Sequence, residues 1–405
     1  MSGTVQAFVA APASSGTSTI TISGSGKTIV SGVLQNVGAT GITALTKEGT
    51  GLLTLSGTNT NTGVTTLYGG CLRLDNASAL SSGNLEITTQ SYSSSDAVLE
   101  LGTGNTAFTR APGTGAGQVN IGGTSRSQIN NAGFASVSGN ATVNLGGSGA
   151  ALTWGAGNFF GTANTGGNLI LGSPNVAGTV DFQNPINLAG NRTITALNGT
   201  ADVDGILSGV IANGSGTRNL TKDGAGTLAL TAANTYNGTT TISAGTLQIG
   251  HGGTAGSLAA TSMIANNGTL AFNRSDTLTQ GTHFSSSAIG GTGSLVQKGS
   301  GTLILNAANT FTGTTTISAG TLQAAAASAL GSTSGIMVNA GGTLLVSANG
   351  SIGTTTNITL SSTATGNGTA ASLVFSSSYN GTVGKLTRNY NSIFTRLGQV
   401  VPILG

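Results

Sequence analysis

One segment occurs three times in this 405-residue chain, at 45–74, 220–249 and 295–324. The copies align without gaps and share two glycines, an asparagine and a leucine. The shared residues are Gly49, Gly224 and Gly299; Asn59, Asn234 and Asn309; Gly63, Gly238 and Gly313; and Leu72, Leu247 and Leu322. The starting positions 45, 220 and 295 differ by 175 and 75 residues, and both differences are multiples of 25. This spacing predicts a solenoid with a coil of roughly 25 residues.

Within each copy the apolar residues recur with a period of two. In 220–249, Leu228 and Leu230 alternate with small or hydroxylated residues, as do Leu247 and Ile249. Alternation indicates short strands with one apolar face, and the Asn- and Gly-rich connectors suit tight bends because these residues tolerate left-handed backbone angles. One coil cannot bury its apolar face alone, but stacked coils can. We therefore predict an all-β, right-handed parallel β-helix, with an array of β-sandwiches as the alternative.

Composition supports an ordered repeat protein of small residues. The chain contains 68 Gly, 23 charged residues and one Cys. It lacks the Gly-X-Y period of collagen and the paired cysteines of a disulfide scaffold. The net charge of +3 comes from scattered cations, so no nucleic-acid partner is predicted. The predicted organisation is a monomeric β-helical rod over 1–375, followed by a tail or cap over 376–405.

The repeated pattern identifies a family resemblance. The run Leu-x-Lys-x-Gly-x-Gly-x-Leu-x-Leu, then Asn-Thr-Tyr-x-Gly, then Thr-x-Ile-x-Ala-Gly-Thr-Leu is complete in 220–249. It resembles the passenger-associated β-strand repeat of bacterial autotransporters. Gln297 replaces the Lys in the third copy, and Asn61 replaces the aromatic residue in the first. The resemblance implies a right-handed β-helical stalk with an adhesin-like, non-catalytic role, displayed at or beyond the outer membrane.

Two features of that family are not recognised in this sequence. Residues 1–16 lack the basic and long apolar segments of a signal peptide, and 374–405 does not resemble a translocator. The expectation is a passenger fragment, or a repeat protein secreted by another route, located outside the cell or on its surface. Its expected partners are an outer-membrane translocator, surface glycans, and components of host or neighbouring cells.

A competing hypothesis is a β-helical carbohydrate-active enzyme or carbohydrate-binding module. Asp202 and Asp204 would share one face of a strand, where paired carboxylates can perform acid–base chemistry together with a cation such as Arg192 or Arg218. Asp181 is a weaker acidic candidate. The opposing interpretation is a solvated turn before Gly205. The two histidines, His251 and His283, have no Cys or acid at ligand spacing, so no metal or cofactor is predicted.

Three further features have a structural and a functional interpretation. Outward threonine rows could bind sugar or ice, or could be ordinary pleated surface; they are Thr239/Thr241, Thr314/Thr316 and Thr354/Thr356. Lys47 and Lys222 could form a row facing carbohydrate or phosphate, or could solvate a turn. Cys71 is predicted to point outward as a neutral replacement for Thr, while Tyr236 and Phe311 are predicted to plug the coil.

Overall fold

The computed structural model describes residues 16–88, 96–122, 131–161, 167–361, 370–377, 384–388 and 392–396. Their regular secondary structure consists of β-strands. The chain divides into two compact units. The first comprises Met1–Gly216 and Gly224–Leu228, and the second comprises Thr217–Asp223 and Ala229–Gly405. Among the described residues, no helix is long and apolar enough to cross a lipid bilayer.

In the described part of the first unit there are nineteen short strands. They are β1 (Gly16–Ile22), β2 (Lys27–Val30), β3 (Gly41–Lys47), β4 (Leu52–Leu55), β5 (Thr65–Leu67), β6 (Gly70–Leu74), β7 (Leu85–Ile87), β8 (Ala97–Leu101), β9 (Ala107–Phe108), β10 (Val119–Ile121), β11 (Ala132–Ser136), β12 (Asn140–Val143), β13 (Leu152–Thr153), β14 (Leu169–Leu171), β15 (Thr179–Phe182), β16 (Ile186–Asn187), β17 (Arg192–Ala196), β18 (Gly205–Leu207) and β19 (Ile211–Ala212).

The remaining strands follow in the second unit, except that β21 contains residues of both units. They are β20 (Leu220–Asp223), β21 (Thr227–Leu230), β22 (Thr240–Ile242), β23 (Thr246–Ile249), β24 (Ile264–Asn266), β25 (Thr269–Phe272), β26 (Thr277–Thr279), β27 (Ile289–Gly290), β28 (Ser294–Gln297), β29 (Thr302–Leu305), β30 (Thr315–Ile317), β31 (Gly320–Ala324), β32 (Ile336–Asn339), β33 (Gly342–Val346), β34 (Ile358–Ser361), β35 (Ser372–Phe375), β36 (Leu386–Arg388) and β37 (Ile393–Arg396).

Sheets in the first unit are built from strands that are one coil apart in sequence. Their orders are β1-β3-β5-β7-β10, β2-β4-β6-β8-β11-β14-β17, β9-β12-β15-β18 and β13-β16-β19. The pairs are parallel, as in β1–β3, where Gly16 lies beside Gly41, and β4–β6, where Leu52 lies beside Cys71. Each strand therefore bonds to its counterpart on the next coil. The predicted all-β, parallel β-helical fold is confirmed.

The second unit has the same organisation. Its sheets include the orders β20-β22-β24-β27, β23-β25-β28-β30-β32-β34-β36 and β26-β29-β31-β33-β35-β37. The last two strands, β36 and β37, pair in parallel with β34 and β35. The coiled architecture thus continues past residue 375, where the sequence predicts a tail or cap to begin.

Coil length varies along the chain. Paired residues lie 25 positions apart for Thr277 and Thr302, but 39 apart for Asn140 and Thr179. Coils in the repeated segments are short. Leu45 lies 20 positions before its partner Thr65, and Leu295 lies 20 positions before Thr315. Thr302 lies 19 positions before Thr321. The predicted length of about 25 residues therefore fits some coils of the β-helix, whereas the coils of the repeated segments are shorter.

Each unit has a core of inward Leu, Ile, Val and Phe side chains. Leu72, Leu247 and Leu322 are fully buried, and burial of each such side chain contributes about 2 kcal/mol. Around the longest coils of the first unit, several aromatic rings pack together in the interior. There Trp154 stacks on Phe160 at 4.8 Å between ring centroids, and Phe159 packs edge-on against Phe160 at 5.1 Å. Aromatic side chains also fill the second unit, where Phe272 and Phe284 pack at 4.7 Å between ring centroids.

Candidate functional site

The first repeated segment contains a buried lysine at the end of β3. Lys47 is 2% exposed, and its Nζ donates hydrogen bonds to the carbonyl oxygens of Glu48 (2.7 Å), Gly49 (2.9 Å) and Gly69 (3.1 Å). Burial lowers the pKa of Lys47 to about 8, because the charged ammonium is poorly solvated. The side chain ties together two neighbouring turns from the inside of the coil.

The side chains at the same position in the other copies also donate to turn carbonyls. Lys222 is fully buried, and its Nζ donates to the carbonyl oxygen of Ala244 at 2.9 Å. Gln297 is 1% exposed, and its Nε2 donates to Gly299 at 2.8 Å and to Gly301 at 3.1 Å. These side chains point inward and cap turn carbonyls. Neither interpretation of the lysines offered by the sequence, a ligand-facing row or a solvated turn, fits this geometry.

We predict that the first unit becomes more stable as the pH rises through about 8. Above that pH folded Lys47 is neutral, whereas the unfolded lysine stays protonated up to its ordinary pKa of 10.5, so the unfolded state binds more protons and stability increases. Denaturant titrations between pH 7 and 9 measure the effect. Lys47→Gln, which copies the residue found at Gln297, should remove it. If the free energy of unfolding of that variant still rose with pH as steeply as in the unaltered chain, the assignment would be contradicted.

A buried asparagine links neighbouring coils in each repeated segment. In the third copy, Asn309 is 2% exposed, and its Oδ1 accepts from the backbone N–H of Ile289 at 2.8 Å. Its Nδ2 donates to the carbonyl oxygen of Ala329 at 2.7 Å. Ile289 lies 20 residues before Asn309 and Ala329 lies 20 residues after it, so one amide joins the coils on both sides. Gln280 adds a side-chain bond at 2.9 Å.

The other two copies use the same asparagine. Asn59 accepts from the backbone N–H of Leu34 at 2.8 Å and donates to the carbonyl oxygen of Ala79. Asn234 is 4% exposed and donates to the carbonyl oxygen of Ser257 at 3.0 Å. In Asn59 and Asn309 the donor and the acceptor are both satisfied by neighbouring coils, and in Asn234 the donor is. Such an interior amide stabilises coil stacking, and leaving its backbone partners unpaired would be costly. We call Asn59, Asn234 and Asn309 the asparagine clamp.

The shared glycines are required for two different reasons. Gly49 and Gly224 have φ values of 70° and 79°, in the left-handed region that the sequence predicts for bends. Gly299 does not share the positive φ of its counterparts in the other copies; a methyl group on it would lie 2.1 Å from the Arg274 carbonyl oxygen. The glycines after the clamp are not in that region; they lie against the carbonyl oxygen of the preceding coil. A methyl group there would come within 2.4 Å of that oxygen at Gly63, 2.2 Å at Gly238 and 2.3 Å at Gly313. Close coil packing, not backbone conformation, requires glycine at these three positions.

The predicted interior plugs are buried. Tyr236 and Phe311 are both 0% exposed, and Asn61 occupies the equivalent place at 1%. The Tyr236 hydroxyl lies 2.7 Å from Thr240 Oγ1, and burial raises the pKa of this tyrosine well above its ordinary value. These side chains fill the coil, so they are not placed to stack on a bound sugar.

The acidic pair occupies two different environments. Asp202 is exposed, whereas Asp204 is 1% exposed. Asp204 accepts from the backbone N–H groups of Gly199 at 2.7 Å and Thr227 at 2.8 Å, one on each carboxylate oxygen. A carboxylate held in this way stabilises a turn and has its acceptor positions directed at the backbone. The structure therefore gives Asp204 a structural role that the sequence did not indicate.

The remaining polar candidates also have local roles. The guanidinium of Arg192 lies over the Trp154 ring at 5.7 Å, and its Nε donates to the carbonyl oxygen of Leu188. Asp181 accepts from the Ser208 hydroxyl at 2.6 Å. Arg218 is half-buried and belongs to the second unit, whereas Asp202 and Asp204 belong to the first.

The histidines lie in separate turns. His283 Nδ1 accepts from the backbone N–H of Thr279 at 3.0 Å, and His251 is exposed beside Gln248. Within the part of the chain that the structure describes, no three His, Cys, Asp or Glu side chains are grouped as metal ligands would be.

A buried ionic cluster on the outer face of β6, β8 and a covering loop was missed by sequence reasoning. Glu100 is 0% exposed and accepts from Arg73 Nε at 2.8 Å and from the Ser173 hydroxyl at 2.7 Å. Ser173 is also 3.7 Å from the sulfur of Cys71. Cys71 points outward as predicted, but the loop that carries Ser173 and Val176 covers it. Burial and the Glu100 carboxylate raise the pKa of the Cys71 thiol to about 12.

We predict that Cys71 resists alkylation in the folded protein. With a pKa near 12, almost no thiolate is present at pH 8, and the thiolate is the reactive form. Mass spectrometry after iodoacetamide treatment should show slow modification in buffer and rapid modification in urea. Glu100→Gln removes one cause of the raised pKa and should accelerate the reaction in buffer. Rapid alkylation of the native, unaltered chain would contradict the assignment.

The threonine rows are only partly as predicted. Thr239, Thr241 and Thr316 are half-buried and Thr314 is exposed, but Thr356 is 7% exposed and points inward, so the pair Thr354/Thr356 is wrong as an outward row. A longer series of hydroxyls lies in register on β26, β29, β31, β33 and β35 of the second unit. This hydroxyl row consists of Thr277, Thr302, Thr321, Thr343 and Ser372. Parallel pairing spaces its members by about 4.8 Å.

Comparison with known proteins agrees with the repeat geometry. The family model described as the passenger-associated-transport-repeat matches residues 45–74, 220–249 and 295–324. The chain contains three passenger-associated-transport repeats. These passenger repeats are the tight coils that carry the asparagine clamp, the inward Lys or Gln and the close-packed glycine.

Part of the chain is similar to a curated protein that is named as an autotransporter. The chain is 47% identical over 91 residues to the adhesin BmaC autotransporter of Brucella suis biovar 1 (strain 1330). The matched region is 22% of this chain and 3% of that relative, so the chain spans a small part of the relative's length. No solved structure matches the chain.

Proposed function

We propose that this chain is a structural passenger segment with an adhesin-like role, secreted or displayed on the surface of a bacterium, and that it performs no catalysis. The observation that carries this proposal is the presence of three passenger repeats, each folded as a tight, internally clamped coil. The local similarity to an adhesin autotransporter supports the same role.

The buried polar groups favour a scaffold over an enzyme. Asp204, Lys47 and Asn309 bind backbone groups of their own or neighbouring coils. Polar side chains used in this way stabilise the stacking of coils and are not directed at a substrate. On this proposal the β-helix presents outer sheet faces to other molecules, and an outer-membrane translocator carries it out of the cell.

Display and adhesion can be tested in a non-adherent Gram-negative host. The full chain is placed between an export signal and an outer-membrane translocator, and the translocator without the chain is the control. We expect added protease to remove the chain from intact cells, and we expect more cells to remain on epithelial monolayers or on glycan-coated plates than in the control. Retention in the periplasm, or display with no gain in attachment, would overturn the proposal.

The absence of catalysis needs a separate measurement. Purified chain is incubated with a panel of soluble polysaccharides, and new reducing ends are counted. We expect no turnover above buffer. Release of reducing ends that disappears in the double variant Asp202→Asn, Asp204→Asn would instead support the carbohydrate-active enzyme.

A further inference from the structure

The outer face of the first sheet forms a groove in the first unit. Strands β1, β3, β5 and β7 and the turn before β5 line an open cavity of about 470 Å³. That volume lies within the usual range for small-molecule sites, about 300–1,000 Å³. The asparagine clamp and the buried ionic cluster do not contribute to its lining. Gly63 is the one close-packed glycine among the described residues that line it, so the groove shares with the stabilising features only the turn before β5.

One side of the groove is a polar row. The parallel register places Thr46 beside Thr66, and Thr66 beside Glu86. Adjacent members are about 4.8 Å apart across the strands. Thr66 is 8% exposed, so the half-buried Thr46 and Glu86 present most of the polar surface of the row. A threonine hydroxyl can donate and accept, and the carboxylate of Glu86 accepts only, so the row offers complementary partners to a ligand with several hydroxyl groups.

The other side of the groove carries apolar side chains that remain in contact with water. Ile42 is 41% exposed and Val64 is 39% exposed, and Ala44 lies between Ile42 and Thr46 on the same face of β3. Thr17 and Thr19 of β1 lie beside Ile42 and Ala44, so hydroxyls border this apolar surface as well. Exposed aliphatic side chains beside a hydroxyl row resemble the composition of ligand pockets, in which apolar surface is combined with a few polar groups that orient the ligand. A pyranose has the matching character, with C–H groups on its faces and hydroxyls on its rim.

Charge narrows the class of ligand. Among the described residues that line the groove, Glu86 is charged, and none is a Lys or an Arg. A carboxylate without a cation repels carboxylated or sulfated sugars and accepts hydrogen bonds from neutral hydroxyl or acetamido groups. We propose that this groove binds a neutral saccharide, which would make it a recognition site within the adhesin-like role proposed above.

Binding is tested with purified full chain on an array of neutral hexose and N-acetylhexosamine oligosaccharides and their sialylated or sulfated counterparts. Dissociation constants for neutral oligosaccharides that bind are then measured by titration calorimetry. We expect neutral probes to bind and acidic counterparts to bind at least about 10-fold more weakly. Glu86→Gln and Thr46→Val should each weaken binding by about 10-fold, as expected for loss of one ligand hydrogen bond.

The matched control is Thr343→Val, which alters the hydroxyl row of the second unit. It should leave the dissociation constant unchanged, and circular dichroism of all variants should match the unaltered chain. Absence of binding to every neutral probe, a preference for acidic probes, or equal weakening by Thr343→Val would each overturn the proposal. This assay requires neither export nor cells. A negative result would therefore overturn the saccharide site alone, and the proposed function would still be tested separately by the cell-attachment experiment.

Discussion

Replacing Asn309 with Leu is expected to destabilise the second unit by about 3 kcal/mol or more. Leucine has a similar size but cannot accept from the Ile289 N–H or donate to the Ala329 carbonyl. Both backbone groups would stay buried without a partner, and each such group costs about 1–3 kcal/mol. Gln280 would also lose its side-chain partner.

The effect can be located by hydrogen exchange followed by mass spectrometry. Peptides that contain Ile289 and the coil around Asn309 should exchange faster in the variant, because solenoid coils depend on their immediate neighbours. Asn306→Ala, at an exposed asparagine of the same unit, is the control and should change stability by no more than about 0.5 kcal/mol. Equal stability of Asn309→Leu and the control would show that the clamp contributes nothing.

Replacing Gly313 with Ala is the second large change. The added methyl group would lie 2.3 Å from the Gly293 carbonyl oxygen, far inside van der Waals contact. Because that oxygen belongs to backbone in the neighbouring coil, it cannot move aside as a side chain would. We expect a loss of about 3 kcal/mol, at the upper end of what overpacking usually costs.

Gly253 provides a matched control. It lies in the second unit, has no strained φ, and a methyl group there would meet no atom within 4 Å. Gly253→Ala should be neutral or slightly stabilising, because alanine restricts the unfolded chain. Thermal or denaturant unfolding of the two variants distinguishes an effect of close packing from a general destabilisation by replacing glycine with alanine. Similar midpoints for both variants would refute the explanation given for Gly63, Gly238 and Gly313.

The fold was largely predictable from sequence. The two-residue alternation around Leu228 and Leu247 indicates short strands, and the aligned repeats indicate stacking. Coil length was less predictable. The spacing of the repeats suggests one common coil length, yet the coil that separates Leu52 from its partner Cys71 is about half as long as the coil from Asn140 to Thr179. The pattern of apolar residues marks strands, but it carries no information about how long the connecting arcs are.

The candidate site shows where sequence reasoning was incomplete. Lys47 has the same parity as buried Leu45 on β3, and this signal for an inward lysine was available. Lysine is rarely buried, so composition favoured the surface. Glu100 gave no comparable signal, because its burial depends on Ser173, which lies 73 residues further along the chain. Contacts of that kind require knowledge of which coils are neighbours.

The unequal coil lengths also bear on how such chains can change during evolution. Strands of the tight coil that starts at Thr302 and strands of the long coil that starts at Asn140 both keep parallel register with their neighbours. The arcs between strands can therefore gain or lose residues while the ladder of backbone hydrogen bonds is retained. Insertions and deletions are filtered by whether they fall in an arc or in a strand, and relatives with the same ladder can differ greatly in length. Foreign peptides grafted into an arc would be presented at the edge of an unchanged sheet.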